Sequence, residues 1–311
     1  MSKVVVVGSL SQDLVVKASR RPAKGETLRG TDFGMFAGGK GNNQALAAAR
    51  AGAQVTMVGR VGADTFGEML LTTLKANQIE TKFMAVDEAV GTGIAVITID
   101  GDGDNSIIIA QQANLKLSAQ DVERASAAIG ESKVLLMQLE VPIETVVAAA
   151  QKAHLSGTAV ILNPAPAPEE QLPAELLRLV DVFVPNQTEA ALITQMEVPD
   201  MVAAAEAAKR LRQMGPKLVI ITMGEQGAFV LSDTLSETIP AFRVQATDTT
   251  AAGDAFCGAL AAALSRGEDV REAISFGCAA GALATTKLGA EPSLPTLAEI
   301  NRLMDEQKCP V

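Results

Sequence analysis

Runs of strand type alternate with helical runs along most of this chain, and that rhythm restricts its fold more than any other feature. Strands are expected near Val4, Val55, Val134, Ala159, Val182 and Leu218, with helices near Lys40, Thr65, Ile143, Thr188 and Val202 between them. Such alternation predicts an α/β fold, a Rossmann-like parallel central sheet flanked by helices on both faces. Two segments break the rhythm. Residues 13–37 and 91–110 are β-like without intervening helices, and the second contains AVITIDGDGDNSIIIA, two apolar strands around a Gly/Asp/Asn turn. Together they read as a small antiparallel β lid on a main unit made of 1–12, 38–90 and 111–311. PAPAPEEQLPAE, from Pro164, reads as a rigid loop before a helix.

Composition narrows the function classes. The 311 residues carry a net charge of −10, which argues against nucleic acid or an anionic membrane as a main partner. With nine Phe and no Trp or Tyr, the core must be built from Val, Ile, Leu, Met and Ala. Cys257, Cys278 and Cys309 lack metal-type spacing and read as free thiols of a reducing compartment. His154 is the single histidine, in the last turn of a helical pattern that closes near Gly157, so a zinc site or a histidine-based triad is not expected. The start of the chain runs directly into the strand KVVVVGSL, too short for a signal peptide or a membrane span, and a cytoplasmic location is expected.

The stretch VQATDTTAAGDAFCGALAAAL, from Val244 to Leu264, carries the strongest chemical signal. Phe256, Leu260 and Leu264 recur at helical spacing, so a helix should begin near Ala252. Its first N–H groups have no intrahelical acceptor, and its dipole end is positive. The turn Ala251–Ala252–Gly253 can therefore hold a phosphoryl group as charge spreads over its oxygens. A carboxylate there, Asp254, is ill suited to binding an anion but well suited to taking a proton from an attacking hydroxyl. Taken alone, Asp254 is equally well explained as an acid favouring a helix N-terminus.

Three other patterns imitate known sites. GMFAGGK, from Gly34, has P-loop spacing, but Gly41 follows where a Ser or Thr would ligand magnesium. DGDGDN, from Asp100, starts like an EF-hand loop, yet Asn105 replaces the required Gly and Gln111 the bidentate Glu, so it reads as a hairpin turn. GSLSQD, after the first strand, lacks the second and third glycines of a dinucleotide fingerprint.

A second glycine cluster, FAGGKGNNQALAAARAGA from Phe36, precedes an alanine-rich helix. GGKGNNQA and DTTAAGDAF together resemble the signature motifs of the ribokinase family of sugar kinases. LLMQLEVP, LNPAPA, PNQTEA and ITMGEQGA lie between them in the family's order, so the resemblance spans essentially the whole chain. It implies that Asp254 is the catalytic base beside an anion hole formed by Ala251, Ala252 and Gly253. It implies that Ser11, Asp13, Gly39, Lys40, Asn43 and Glu140 surround the sugar, with Gly39 and Gly41 allowing close backbone approach. Asp13, Asn43 and Glu140 also have plainer readings: Asp13 in a turn, Asn43 in a helix first turn, Glu140 at a solvated strand end.

PNQTEA follows a strand, where α/β sheets put ligands. By resemblance, Asn186 and, through water, Glu189 help place Mg2+ and the ATP phosphates, while Thr222, Gly224, Gly227, Gly253 and Cys278 adjoin the nucleotide. The pair Asn186 and Glu189 also suits a capping box. Asp248, Thr250, Ala284, Lys287, Gly289 and Ser293 match family positions around a monovalent cation, K+. The lid is expected to double as a homodimer surface.

The chain departs from the family pattern at substrate-facing positions: Ser11 stands where many members have Asn, Asn42 where Ala is common, and Cys278 where some have His. The expected activity is transfer of the ATP γ-phosphate to a primary hydroxyl of a pentose, with ribose the leading candidate. A kinase for another sugar or a nucleoside, or an idle sugar sensor on the same fold, are the alternatives.

Overall fold

The computed structural model describes residues 3–168 and 170–307; Cys309 lies outside them, as does Glu169 within the loop from Pro164. Strand β1 (Lys3–Val7) leads into β2 (Ser11–Lys17) and β3 (Asp32–Gly38), followed by α1 (Lys40–Arg50), β4 (Gln54–Gly62), α2 (Thr65–Ala76) and β5 (Glu80–Asp87). Next come the hairpin β6 (Gly93–Ile99) and β7 (Asn105–Ala110), two short helices, α3 (Ala119–Arg124) and α4 (Ser126–Glu131), then β8 (Val134–Met137), α5 (Ile143–Ser156) and β9 (Ala159–Leu162). The chain continues through α6 (Ala174–Leu179), β10 (Val182–Phe183), α7 (Gln187–Thr194), α8 (Met201–Gln213), β11 (Leu218–Thr222), β12 (Ala228–Leu231) and β13 (Ser236–Ile239). Helices α9 (Ala252–Arg266), α10 (Val270–Ala284) and α11 (Leu297–Gln307) close it.

Nine strands form one sheet in the order β13-β12-β11-β10-β9-β8-β1-β4-β5. From β11 to β5 every pairing is parallel, and β12 and β13 are added antiparallel at one end. The strands are apolar on both sides because both sides are covered. In β1, Val4 and Val6 pack with Leu46, Phe256 and Leu260 of α1 and α9, whereas Val5 and Val7 face the opposite core with Val146 and Ala150 of α5. Each fully buried aliphatic side chain contributes about 1.5–3 kcal/mol. Helix ends follow local chemistry: Asp64 caps α2 by accepting the Gly67 N–H at 2.8 Å, and α5 ends at Gly157 with φ 74°, leaving His154 in its last turn as expected.

The remaining four strands form a separate sheet, β3-β2-β6-β7. Strands joined directly in sequence, β2 with β3 and β6 with β7, pair antiparallel, while β2 and β6, from different parts of the chain, pair in parallel. DGDGDN is the β6–β7 turn: the Asp100 carboxylate accepts the Asp102 and Asp104 N–H groups, so its oxygen serves the loop rather than a calcium ion.

Helices α1 and α9 are held close by small residues. A Cβ on Gly258 would lie 2.5 Å from the Ala47 Cβ and 2.6 Å from the Gln44 carbonyl oxygen. Gly258→Ala should therefore cost about 1–3 kcal/mol in urea unfolding. Gly253→Ala, whose added Cβ meets nothing within 4 Å, should stay within about 1 kcal/mol of the parent.

Candidate active site

Because the central strands are parallel, their carboxyl ends share one edge, and the residues that follow them gather there. Gln138 and Glu140 follow β8, Asn163 follows β9, Asn186 follows β10, and Thr222 ends β11. The N-terminus of α9 meets that edge and brings Asp254. A cleft of about 200 Å³ lies between them, lined by Lys40, Asn163, Asn186, Glu189, Thr222 and Asp254 among others.

Asp254 is 8 % exposed. Its Oδ2 accepts a hydrogen bond from Asn43 Nδ2 at 3.0 Å and its Oδ1 one from Gln44 Nε2 at 2.9 Å, both from α1. Burial pushes its pKa up, against the Lys40 charge and the two amide donors, which favour the ionised form. Ala251 caps α9 in the left-handed region at φ 59°, a conformation that costs a residue with a Cβ about 1–2 kcal/mol. Strain of this kind marks a turn whose shape is set by something other than local preference. The Ala252 N–H turns back to Thr249 O at 3.3 Å. Among the described residues, no backbone acceptor takes the Gly253 or Asp254 N–H. Of the expected turn 251–253, the Ala251 and Gly253 N–H groups are, like that of Asp254, without a backbone acceptor among the described residues, whereas the Ala252 N–H is taken by Thr249 O.

Around this carboxylate the charges are mixed. Lys40 is buried, which works against its charge, but Asp254, Glu140 and Glu189 outweigh that and raise its pKa. Burial lifts Glu189 to about 7, opposed by the Asn186 N–H and Lys40 and aided by Asp254. Glu189 and Asn186 form the capping box of α7: Asn186 Oδ1 accepts the Glu189 N–H, and the Glu189 carboxylate accepts the Asn186 N–H, both at 2.8 Å. The expected helix-cap reading of these two residues is therefore realised, and it holds Glu189 against the cleft. Burial likewise lifts Asp13 to about 6, with the Ser11 hydroxyl, 3.1 Å from its Oδ1, opposing and Glu140 and Asp254 adding. Glu140 Oε2 accepts from Ser9 Oγ at 2.5 Å and from the Lys40 N–H at 2.9 Å, binding the end of β8 to the start of α1.

The chain that carries this cleft is similar in sequence and fold to known proteins. The sequence pattern of the pfkB family carbohydrate kinases matches residues 1–297. The chain belongs to that family. A ribokinase of Haemophilus influenzae is 42 % identical over 296 residues, covering 95 % of this chain and 96 % of that one. A deoxyribokinase of Salmonella typhimurium is 36 % identical over 301 residues, covering 97 % and 98 %. An Arabidopsis thaliana ribokinase solved with ribose and ATP superposes with a TM-score of 0.88 at 31 % identity, covering 97 % of this chain and 98 % of that one. The chain is a sugar kinase, a phosphotransferase acting on an alcohol group.

In this member of the pfkB family the positions singled out from sequence separate into groups. Lys40, Asn43, Asn186, Glu189, Thr222, Ala251, Gly253 and Asp254 meet at the cleft or hydrogen-bond a residue that lines it. Gly39 enters α1 at φ 89°, and a Cβ there would sit 2.8 Å from Leu10 Cα. Gly224 and Gly227 shape the turn after Thr222 but do not line the cleft. Cys278 is buried on α10, its thiol pushed up to about 12 by burial, and it too stays outside the cleft lining. Asp248 bonds Thr250 through its Oδ1 (Oγ1 at 2.6 Å) and the Gly289 N–H through its Oδ2 at 2.8 Å, which joins the loop before α9 to the one after α10. Ala284 ends α10. The Lys287 side chain turns to the surface, 3.2 Å from Glu299, and the fully buried Ser293 hydroxyl donates to Ala290 O. Asn42 is fully buried with no partner for its side-chain amide among the described residues, and nothing in the structure explains its presence there.

Gln44, Gln138, Asn163 and Ser9 were not singled out, although each lies within a quoted motif. Their signal was present as polar residues inside apolar or small-residue runs, as with Gln138 in LLMQLEVP. Such a residue reads as a site only once its burial is known.

The raised carboxyls predict how stability follows pH. Asp13 and Glu189, with ordinary values of 3.8 and 4.5, are raised to about 6 and about 7. The folded chain then binds protons where the unfolded chain has released them, so stability rises as pH falls through that window. Ligand-free protein should melt at higher temperature at about pH 5 than at about pH 8. The double variant Asp13→Asn, Glu189→Gln should lose most of that gain. A wild-type Tm that is flat or falls over the same window, matched by the variant, would contradict these assignments.

Proposed function

We propose that the protein transfers the γ-phosphate of ATP to the primary hydroxyl of ribose. The observation that carries this reading is Asp254, buried between two amide donors, facing a cleft beside the free N–H groups of α9. Asp254 takes the hydroxyl proton while the sugar oxygen forms its bond to the γ-phosphorus. The bond from that phosphorus to the β,γ-bridging oxygen breaks, and ADP leaves. The Gly253 and Asp254 N–H groups meet the charge developing on the transferred phosphoryl oxygens. Asp13, with Ser11, Asn43, Lys40 and Glu140, holds the sugar so that one oxygen points at phosphorus, the source of the proximity advantage.

Glu189 and Asn186 suit Mg2+ bound with ATP. Glu189 is a buried carboxylate whose pKa burial raises to about 7, a cost that a cation beside it would offset, and because magnesium keeps several waters one carboxylate would suffice. Bound there with ATP, magnesium would supply charge neutralisation on the phosphates. For K+, the candidate site lies between the loop of Asp248 and Thr250 and residues 284–293, which the Asp248–Gly289 hydrogen bond joins, and loops of this kind would offer mainly backbone carbonyls to such an ion. The nucleotide is read as lying along Thr222, Gly224 and Gly227, with Cys278 behind it.

The small sheet, 13–37 and 91–110, is read as a lid over the sugar. It carries exposed Phe33, Met35, Val96 and Ile108, the last 74 % exposed, an apolar surface suited to a second copy of this chain. Among the described residues no helix is long and apolar enough to cross a membrane. The buried free thiols Cys257 and Cys278 accord with a cytoplasmic enzyme.

Coupled detection of ADP across ribose, 2-deoxyribose, other sugars and nucleosides tests the substrate. Ribose should give the highest kcat/KM. Preference for 2-deoxyribose would replace ribose, in line with the Salmonella relative named a deoxyribokinase, and sugar binding without ADP release would make the protein a sensor. Asp254→Asn keeps shape and removes the base, so kcat should fall about 10²–10⁴-fold while both ligands still bind. Turnover within a few-fold of wild type would sink the mechanism.

The cation reading has its own assay. In sodium or Tris buffer stripped of potassium, added K+ should raise turnover or ATP affinity. Flat activity across potassium concentrations would remove the site.

A further inference from the structure

We propose that Gln44 is a positioning residue for phosphoryl transfer: a buried chain of side-chain amides, Gln138 to Gln44 to Asn163, fixes the direction of the Gln44 carboxamide and so keeps an N–H donor on Asp254 Oδ1. The proposal rests on the reading of Asp254 as the base. The chain starts from an atom that cannot turn round. Val184 O is a backbone carbonyl and only accepts, so the Asn163 Nδ2 that donates to it at 2.8 Å is assigned, and Asn163 must present Oδ1 to Gln44. Gln44 Nε2 then donates to two acceptors, Asn163 Oδ1 at 3.0 Å and Asp254 Oδ1 at 2.9 Å. Its Oε1 is left facing Gln138, whose Nε2 donates to it at 2.6 Å.

The alternative orientation is costly. Rotating the Gln44 amide by half a turn would set its carbonyl oxygen against a carboxylate and a second carbonyl oxygen, and burial strengthens both repulsions. Gln44 and Gln138 are both 0 % exposed. Space for the far end of the chain comes from Gly8, where a Cβ would lie 2.1 Å from Gln138 Oε1. Charged or titratable groups also surround Asp254: Asp13 on β2, Lys40 on α1, Glu140 after β8, Glu189 on α7 and Cys257 on α9. Two donors hydrogen-bond it, and they differ in kind. Asn43 is shared with the sugar in the proposed reading, whereas Gln44's partners are all protein, so its support persists whether or not sugar is bound. The chain also links two strand ends, from Gln138 after β8, two residues before Glu140, to Val184 after β10, two before Asn186.

Gln44→Met and Gln138→Met, similar in length but without donors, test this. A hydrogen bond to a charged group is lost or misdirected, so the acidic limb of the kcat profile should move up by about one pH unit. At neutral pH kcat should fall about tenfold with KM for ATP within about twofold. Gln138→Met should move the limb in the same direction by less, although it touches neither Asp254 nor the cleft. The double variant should be no worse than Gln44→Met, since the two act through one amide. An acidic limb unchanged in folded variants, or losses that multiply, overturns the proposal. Should Gln44→Met fail to fold, Gln138→Met decides by its pH profile. Wild type and Asp254→Asn are assayed alongside: an inactive wild type or an unimpaired Asp254→Asn would refute the base assignment, whereas the relay fails only if those two behave as expected and the Gln variants do not.

Discussion

A carboxylate removed from water must be supported by donors and charge, or it protonates and ceases to be a base. Asp254 is in that position, and much of the architecture follows from it. Two donors come from consecutive residues of α1, Asn43 and Gln44. They reach Asp254 because α1 and α9 approach at small residues such as Ala47 and Gly258. The charge nearby comes from Lys40 at the head of the same helix, and Lys40 is placed by Glu140, which receives its backbone N–H. One helix thus supplies the donors and the counter-charge, and one close helix contact makes both effective.

The parallel sheet does the rest of the assembly. Strands that run the same way end on the same edge, so residues as far apart in sequence as Ser9, Glu140, Asn163 and Glu189 become neighbours without any of them being close in the chain. Each link after a strand is short, and its backbone is tied: Asn163 N–H to Met137 O at 3.0 Å, Thr222 N–H to Pro185 O at 3.0 Å. Side chains standing on such links are held as firmly as the sheet, which is what a reaction needing sub-ångström placement requires.

Without ligands the cleft carries several carboxyl groups around one lysine. Burial raises Asp13, Glu189 and Asp254 together, and their mutual repulsion adds to it. A sugar hydrogen-bonded to Asp13 and a divalent cation beside Glu189 would each relieve part of that cost. Under the proposed function, filling the site would therefore lower the cost of holding these carboxylates ionised.

How much of this the sequence determined divides along a physical line. Periodicity and turn chemistry act over a few residues, so the strands near Val4, Val134 and Leu218, the α9 start near Ala252, the DGDGDN hairpin and the place of His154 were legible. Asp254 and Glu189 were legible because their motifs stand at a helix start and after a strand, whereas Lys40 and Asn43 were legible through the resemblance of GGKGNNQA to the family's motif. β5, β12 and β13 had not been singled out, and the parallel β2–β6 pairing is a matter of which edges meet, which no local pattern records. Which N–H groups remain free at α9 depends on the turn taken by Ala251, and Gln44, Gln138 and Asn163 became part of the site only when folding buried them together. A glutamine in a sequence carries no mark of whether water or a carboxylate will be its partner. Burial decides that, and burial belongs to the tertiary structure because it is set by every element that packs around the residue.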